Sequence, residues 1–125
     1  MKWQNAAGKQ LLAITLLPAF IALWACHSYH VETTVENRTG ATIQQVEVDY
    51  PSASFGTDTL GSGETYHYRI QLQGRSALKV VYRTINGHLV QIDGPMVSER
   101  QEGKLQIVLL PGGKAEFNQQ MTPLP

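Results

Sequence analysis

Cysteine is nearly absent: the chain of 125 residues has one, Cys26. A lone thiol closes no intramolecular disulfide, so cohesion must come from an apolar core. Net charge is also missing, because ten Lys and Arg balance ten Asp and Glu. That leaves no basic footprint for nucleic acid or anionic lipid. No glycine run opens a helix to cradle phosphate, and no serine stands in a Gly-x-Ser-x-Gly elbow. Tryptophan is confined to Trp3 and Trp24, ahead of Cys26, whereas all five tyrosines follow it. The apolar stretch at residues 11–25, LLAITLLPAFIALWA, has fifteen residues. As a helix it reaches about 22 Å, short of the ~30 Å hydrocarbon core of a bilayer.

What is present at the N-terminus has a definite order. Lys2 and Lys9 come first, no acid precedes Glu32, the apolar run follows, and Ala25 ends it. A positive start, a short greasy stretch and a small terminal residue make a secretory signal. Pro18 interrupts its middle, as suits a segment that need not persist as a spanning helix. An uncleaved single-pass anchor is the alternative, with residues 5–8, on the far side of Lys9, lengthening the span.

Leu23-Trp24-Ala25-Cys26 resembles the lipobox of bacterial lipoproteins: an aliphatic residue, a variable one, a small one and the cysteine. The resemblance covers residues 1–26 only. It implies that Leu23 and Ala25 are recognised by the processing machinery, that Cys26 carries diacylglycerol on its sulfur, and that Cys26 becomes the mature N-terminus. Trp24 departs from the pattern, where a smaller residue is usual, and this bears on cleavage efficiency. His27 stands where an aspartate would favour retention at the inner membrane, so the resemblance implies the outer membrane, facing the periplasm. Each buried acyl methylene contributes about 0.8 kcal/mol, and two chains anchor durably where one does so marginally.

Removing residues 1–25 leaves a hundred, enough for one domain. Losing Lys2 and Lys9 leaves eight basic against ten acidic residues, a net charge of −2. Residues 26–30 read as the lipidated cysteine and a short spacer. From Val31 the pattern has period two. Val31, Thr33 and Val35 face one way and Glu32, Thr34 and Glu36 the other, before a turn at Asn37-Arg38-Thr39-Gly40. Val46, Val48 and Tyr50 alternate with polar neighbours, and Ile43 is out of phase with them. A bulge at Gln44-Gln45 restores it to the inner face. Pro51 ends that strand, and residues 52–60 read as an irregular edge segment.

Tyr66, Tyr68, Ile70 and Leu72 alternate inward against His67, Arg69 and Gln71. For the hairpin at Asn86-Gly87, a two-residue loop would set Gln91 and Asp93 against core positions. A three-residue loop, Ile85-Asn86-Gly87 with Gly87 left-handed, pairs Tyr82 with Val90 and Val80 with Ile92. Gly94-Pro95 is expected to stop the next strand, and residues 98–103 to form a solvated loop. Leu105, Ile107 and Leu109 alternate in another strand. A short strand follows near Ala115-Glu116-Phe117, with a flexible tail at 118–125.

About seven short strands over residues 31–117, each with one apolar face, require a second sheet to cover that face. The expected fold is all-β: a single small immunoglobulin-like or fibronectin-type antiparallel β-sandwich behind a helical signal. It has neither the cysteine pair nor the core tryptophan of immunoglobulin domains.

Catalytic signals are weak. His27 and His30 are spaced i, i+3, as a shared metal would allow, but two histidines in a short spacer read as solvated. His67 and His88 read as exposed. A hydrolase built on Ser62, His67 and Asp58, or on His67 with Glu64, requires those side chains to converge in one pocket. A carbohydrate-binding module requires two exposed, coplanar tyrosines, with Tyr29 and Tyr50 as candidates. Asn37-Arg38-Thr39 matches a glycosylation sequon, but turn geometry is its expected role. The leading expectation is a non-enzymatic, lipid-anchored domain of the cell envelope. It needs no cofactor or metal, and its partner is an envelope protein or glycan.

Overall fold

The computed structural model describes residues 27–125. Eight strands follow one another: β1 (Val31–Asn37), β2 (Ile43–Tyr50), β3 (Ala53–Leu60), β4 (Thr65–Ile70), β5 (Arg75–Thr84), β6 (Leu89–Ser98), β7 (Gly103–Leu110) and β8 (Lys114–Met121). They form two four-stranded sheets, β4-β1-β7-β8 and β3-β2-β5-β6. The predicted two-layer sandwich is therefore present, with one strand more than expected. The expected antiparallel arrangement holds for every described pair but β1 with β7, which run parallel. Parallel neighbours need a long crossover. Here the intervening chain supplies it by building the entire second sheet.

The core lies between the sheets. Val31, Val48, Leu78, Val80, Ile107 and Leu109 are each fully buried. Inward positions alternate as period two demands in β1 and β7. Every buried side-chain nitrogen and oxygen among the described residues has a hydrogen-bond partner.

Two register expectations hold. β2 shifts against β5 between Gln44 and Glu47, and Gln45 adopts φ +50°. The extra residue brings Ile43 and Val48 to the same inner face. At the hairpin, Tyr82 pairs with Val90 and Val80 with Ile92, with Gly87 at φ +85°. The Gly87 N–H donates to the Thr84 carbonyl at 2.8 Å.

Several expectations are corrected. Residues 53–60 are a regular edge strand rather than an irregular segment, because a tight turn at 51–52 zips β3 onto β2 from Tyr50–Ala53 through Ile43–Leu60. Phe55 and Leu60, five residues apart, face inward opposite Val48 and Ile43, also five apart. The edge strand thus mirrors the irregular spacing of its neighbour. Gly56 permits the close approach, since a Cβ there would run into the carbonyl oxygen of Val46. Gly56→Ala is expected to cost about 1–3 kcal/mol through overpacking, read as a lower urea midpoint with unchanged slope.

Gly94-Pro95 does not stop β6, which runs on to Ser98. Its register against β5 shifts between Ala77–Met96 and Lys79–Asp93. The bulge absorbs the proline, which has no N–H for the ladder. Residues 98–103 are not wholly solvated. Gln101 is 3% exposed, and its Oε1 accepts from the Ser98 N–H at 2.9 Å. Its Nε2 donates to the Thr122 carbonyl at 2.8 Å. The same contact ties down the C-terminal segment, and β8 extends to Met121, where a flexible tail was expected from 118.

Candidate functional site

The outer face of the β4-β1-β7-β8 sheet carries two rows of polar side chains aligned by strand register. One row crosses all four strands as His67, Thr34, Gln106 and Asn118. The next crosses them as Arg69, Glu32, Lys104 and Gln120. Each row follows from period two: the neighbours of these residues along β1 and β7 point into the core, so these must point out. All of these residues except Arg69 line a depression of about 400 Å³.

Within it the Asn118 Nδ2 donates to Gln106 Oε1 at 3.1 Å, and Arg69 Nε lies 3.3 Å from Glu32 Oε1. That ion pair is exposed and contributes little to stability. A third row ends the depression. Val108 shares the outward parity yet is 2% exposed, flanked in register by Glu36 and Glu116. The face therefore offers amide, hydroxyl, imidazole and charged groups of both signs, without an aromatic platform. It is suited to a partner recognised by many directional hydrogen bonds.

A second feature is aromatic and sits where β3 and β4, the edge strands of the two sheets, approach each other. Phe55 stacks on Tyr68 with centroids 4.8 Å apart and planes 7° from parallel. It also lies 6.1 Å from Tyr50 and 6.2 Å from Tyr66. Burial, then the neighbouring Tyr68 phenol, raises the pKa of Tyr50. Burial alone raises that of Tyr82. The expectation that Tyr68 points inward is met in parity but not in burial, since it is 43% exposed. An edge strand has no neighbour to cover it.

The other candidates fall as follows. His67 lines the depression on the first sheet, whereas Asp58 lines a separate one over β2 and β3. Ser62 and Glu64 lie in the turn between β3 and β4, and neither lines the depression that holds His67. The hydrolase constellation is not assembled. The coplanar partner of Tyr68 is the buried Phe55, and Tyr29 packs edge-on against His27 at 4.5 Å. The two exposed, coplanar tyrosines of a carbohydrate platform are not found among the described residues.

His27 and His30 do not converge on a metal. His27 Nε2 lies 3.2 Å from Glu102 Oε2, and no group of three or more His, Cys, Asp or Glu residues poised for a metal occurs among the described residues. His88 follows the β5–β6 turn and is exposed. Asn37 is fully buried, so the sequon presents no acceptor in the folded state. Leu23, Ala25 and Cys26 lie outside the described residues. Among those described, no helix is long and apolar enough to cross a membrane.

Sequence reasoning faced Glu32, Thr34, His67 and Arg69 outward on their strands, but read Asn118 and Gln120 as part of a flexible tail and missed the shared face. The parallel β1–β7 pairing that aligns the rows leaves no local signal.

No family model and no curated protein matches the sequence. In fold, the chain is similar to an NMR structure of a protein from Eubacterium rectale. The TM-score is 0.53 over 73% of this chain and 88% of that one, at 13% sequence identity. An identity that low speaks for the fold alone.

Proposed function

We propose that this protein is a lipid-anchored domain of the bacterial cell envelope that holds another envelope component against the outer face of its β4-β1-β7-β8 sheet, without catalysing a reaction. Lipid on Cys26 tethers it, after removal of residues 1–25 guided by Leu23 and Ala25. With His27 following the cysteine, the assigned place is the outer membrane, facing the periplasm. The observation that carries the binding role is the pair of register-aligned polar rows over one depression, His67 to Asn118 and Glu32 to Gln120. A sandwich needs polar groups outside for solubility alone. A concave grid of mixed donors and acceptors goes further, since it can recognise a hydroxyl-rich glycan or a polar protein surface.

The test is photo-crosslinking in cells. A photoreactive residue at Gln106 or Asn118 is expected to give a discrete adduct, protein or glycan by its mass. One at Glu47, on the other sheet, should give none. Equal labelling from both faces, or no adduct from either, removes the assignment of this face.

A further inference from the structure

We infer that the end of the sandwich carrying residues 27–30 and the C-terminus seats directly on the bilayer, so that the domain stands on the membrane by one end. This rests on the lipid-anchor reading above. The four residues after Cys26 read as a free spacer in sequence, and the structure does not leave them free.

The His30 carbonyl accepts the Gly103 N–H at 3.2 Å, one residue before β1 enters the sheet between β4 and β7. His27 reaches Glu102 at 3.2 Å, and Tyr29 packs against the His27 ring. The unpaired tether is therefore at most the steps from Cys26 to His30, about 14 Å when fully drawn out. With the His27–Glu102 contact made it is a single peptide link. By contrast β5 has ten residues and spans about 33 Å. The described chain thus begins against one end of the body, far from the other, with Cys26 one peptide link before it.

The same end gathers the C-terminus. The Glu102 N–H donates to Thr122 Oγ1 at 3.1 Å, and the Thr122 N–H donates to the Glu102 carbonyl at 3.0 Å. Leu124, two residues on, thus leaves from the same end as Tyr29, at 40% and 37% exposure respectively. A tyrosine ring suits the headgroup level of a bilayer, apolar body inward and hydroxyl outward, and a leucine at the same end adds apolar area. Charges at this end are of both signs, with Glu99 and Glu102 against Arg75 and Arg100. Seating should accordingly need no anionic lipid. At the opposite end the β5–β6 turn presents Ile85 and Leu89, 67% and 58% exposed, away from the membrane.

The mature chain offers a clean probe, because both tryptophans precede Cys26. Single variants Tyr29→Trp, Leu124→Trp and Ile85→Trp would be made in the full chain and extracted from membranes. Intact mass must show loss of residues 1–25 and acyl groups on Cys26. Each protein is then reconstituted in phosphatidylcholine vesicles with or without bromine on the acyl chains.

Brominated lipid is expected to quench the tryptophans at positions 29 and 124 by about half, as befits side chains at the headgroup–acyl boundary, and to leave that at position 85 unchanged. Adding phosphatidylglycerol should alter neither result. If position 85 is quenched as strongly as position 29, or if none is quenched, the end-on seating is wrong. A mass without acyl groups would instead overturn the anchor itself.

Discussion

Replacing Asn37 with aspartate is expected to destabilise the domain by about 3–5 kcal/mol, close to the whole stability of many domains this size. The side chain is fully buried. Its Nδ2 donates to the carbonyls of Ala41 at 2.8 Å, Leu60 at 3.0 Å and Gly61 at 3.1 Å. Its Oδ1 accepts from the Thr39 N–H at 3.0 Å and the Thr39 hydroxyl at 2.7 Å. One amide thus joins the end of β1, the loop leading to β2 and the turn after β3.

Aspartate has the same shape but no N–H, so it would turn a carboxylate oxygen on three carbonyl oxygens. Asn37→Ala leaves the same carbonyls unpaired and is expected to cost a similar amount. Thr39→Ser, which keeps the hydroxyl, should change stability by less than about 1 kcal/mol. The Asn37→Asp variant also has a distinctive pH dependence. The buried site raises the pKa of the new carboxyl, so the folded state binds a proton the unfolded state has released. The deficit should therefore shrink as pH falls toward the unfolded carboxyl value near 4 and grow above it. Urea titration followed by circular dichroism measures all three. A midpoint for Asn37→Asp within about 1 kcal/mol of the parent would refute the bridging role.

The second large effect is expected at the anchor. A chain beginning at His27 and exported behind an unrelated cleavable signal is expected to move almost entirely from the membrane to the soluble fraction. That chain lacks both acyl chains of the diacylglycerol, each buried methylene of which contributes about 0.8 kcal/mol, and two such chains anchor durably. The parent should pellet with membranes, carry acyl mass, and show no indole absorbance, because Trp3 and Trp24 leave with residues 1–25. Cys26→Ser has no sulfur to accept the lipid and should keep residues 1–25, both tryptophans and no acyl mass. Persistent indole absorbance in the parent would mean that the signal stays attached and acts as an anchor itself. A domain that still pellets from His27 onward would mean that protein contacts, not lipid, hold it.

Some tertiary features were legible because they leave a local mark. Ile43, out of phase with Val46 and Val48, announced the bulge at Gln45. The Asn86-Gly87 hairpin had one register that paired apolar with apolar, and the structure adopts it. β3 left its mark less openly. The five-residue interval from Phe55 to Leu60 makes sense only beside the interval from Ile43 to Val48, and that pairing is known once the turn at 51–52 is. Gly94-Pro95 misled for the reverse reason, since a residue pair that ends most strands is tolerated where a bulge removes the need for an N–H. The exposure of Tyr68 was hidden because alternation reports which face a residue shares, not whether a neighbouring strand covers it.

The amino-acid order alone determined the two-layered β architecture, most strand boundaries and the separation of inward from outward side chains. Each of these depends on periodicity and turn chemistry within a few residues. Only the tertiary structure decided that β4 became an edge, that β1 lies parallel to β7, and that Asn37 and Gln101 are buried bridges. It also decided that residues 27–30 are held to the body of the domain. All of these are contacts between segments far apart in the chain, and no local pattern encodes which distant carbonyl an amide will meet.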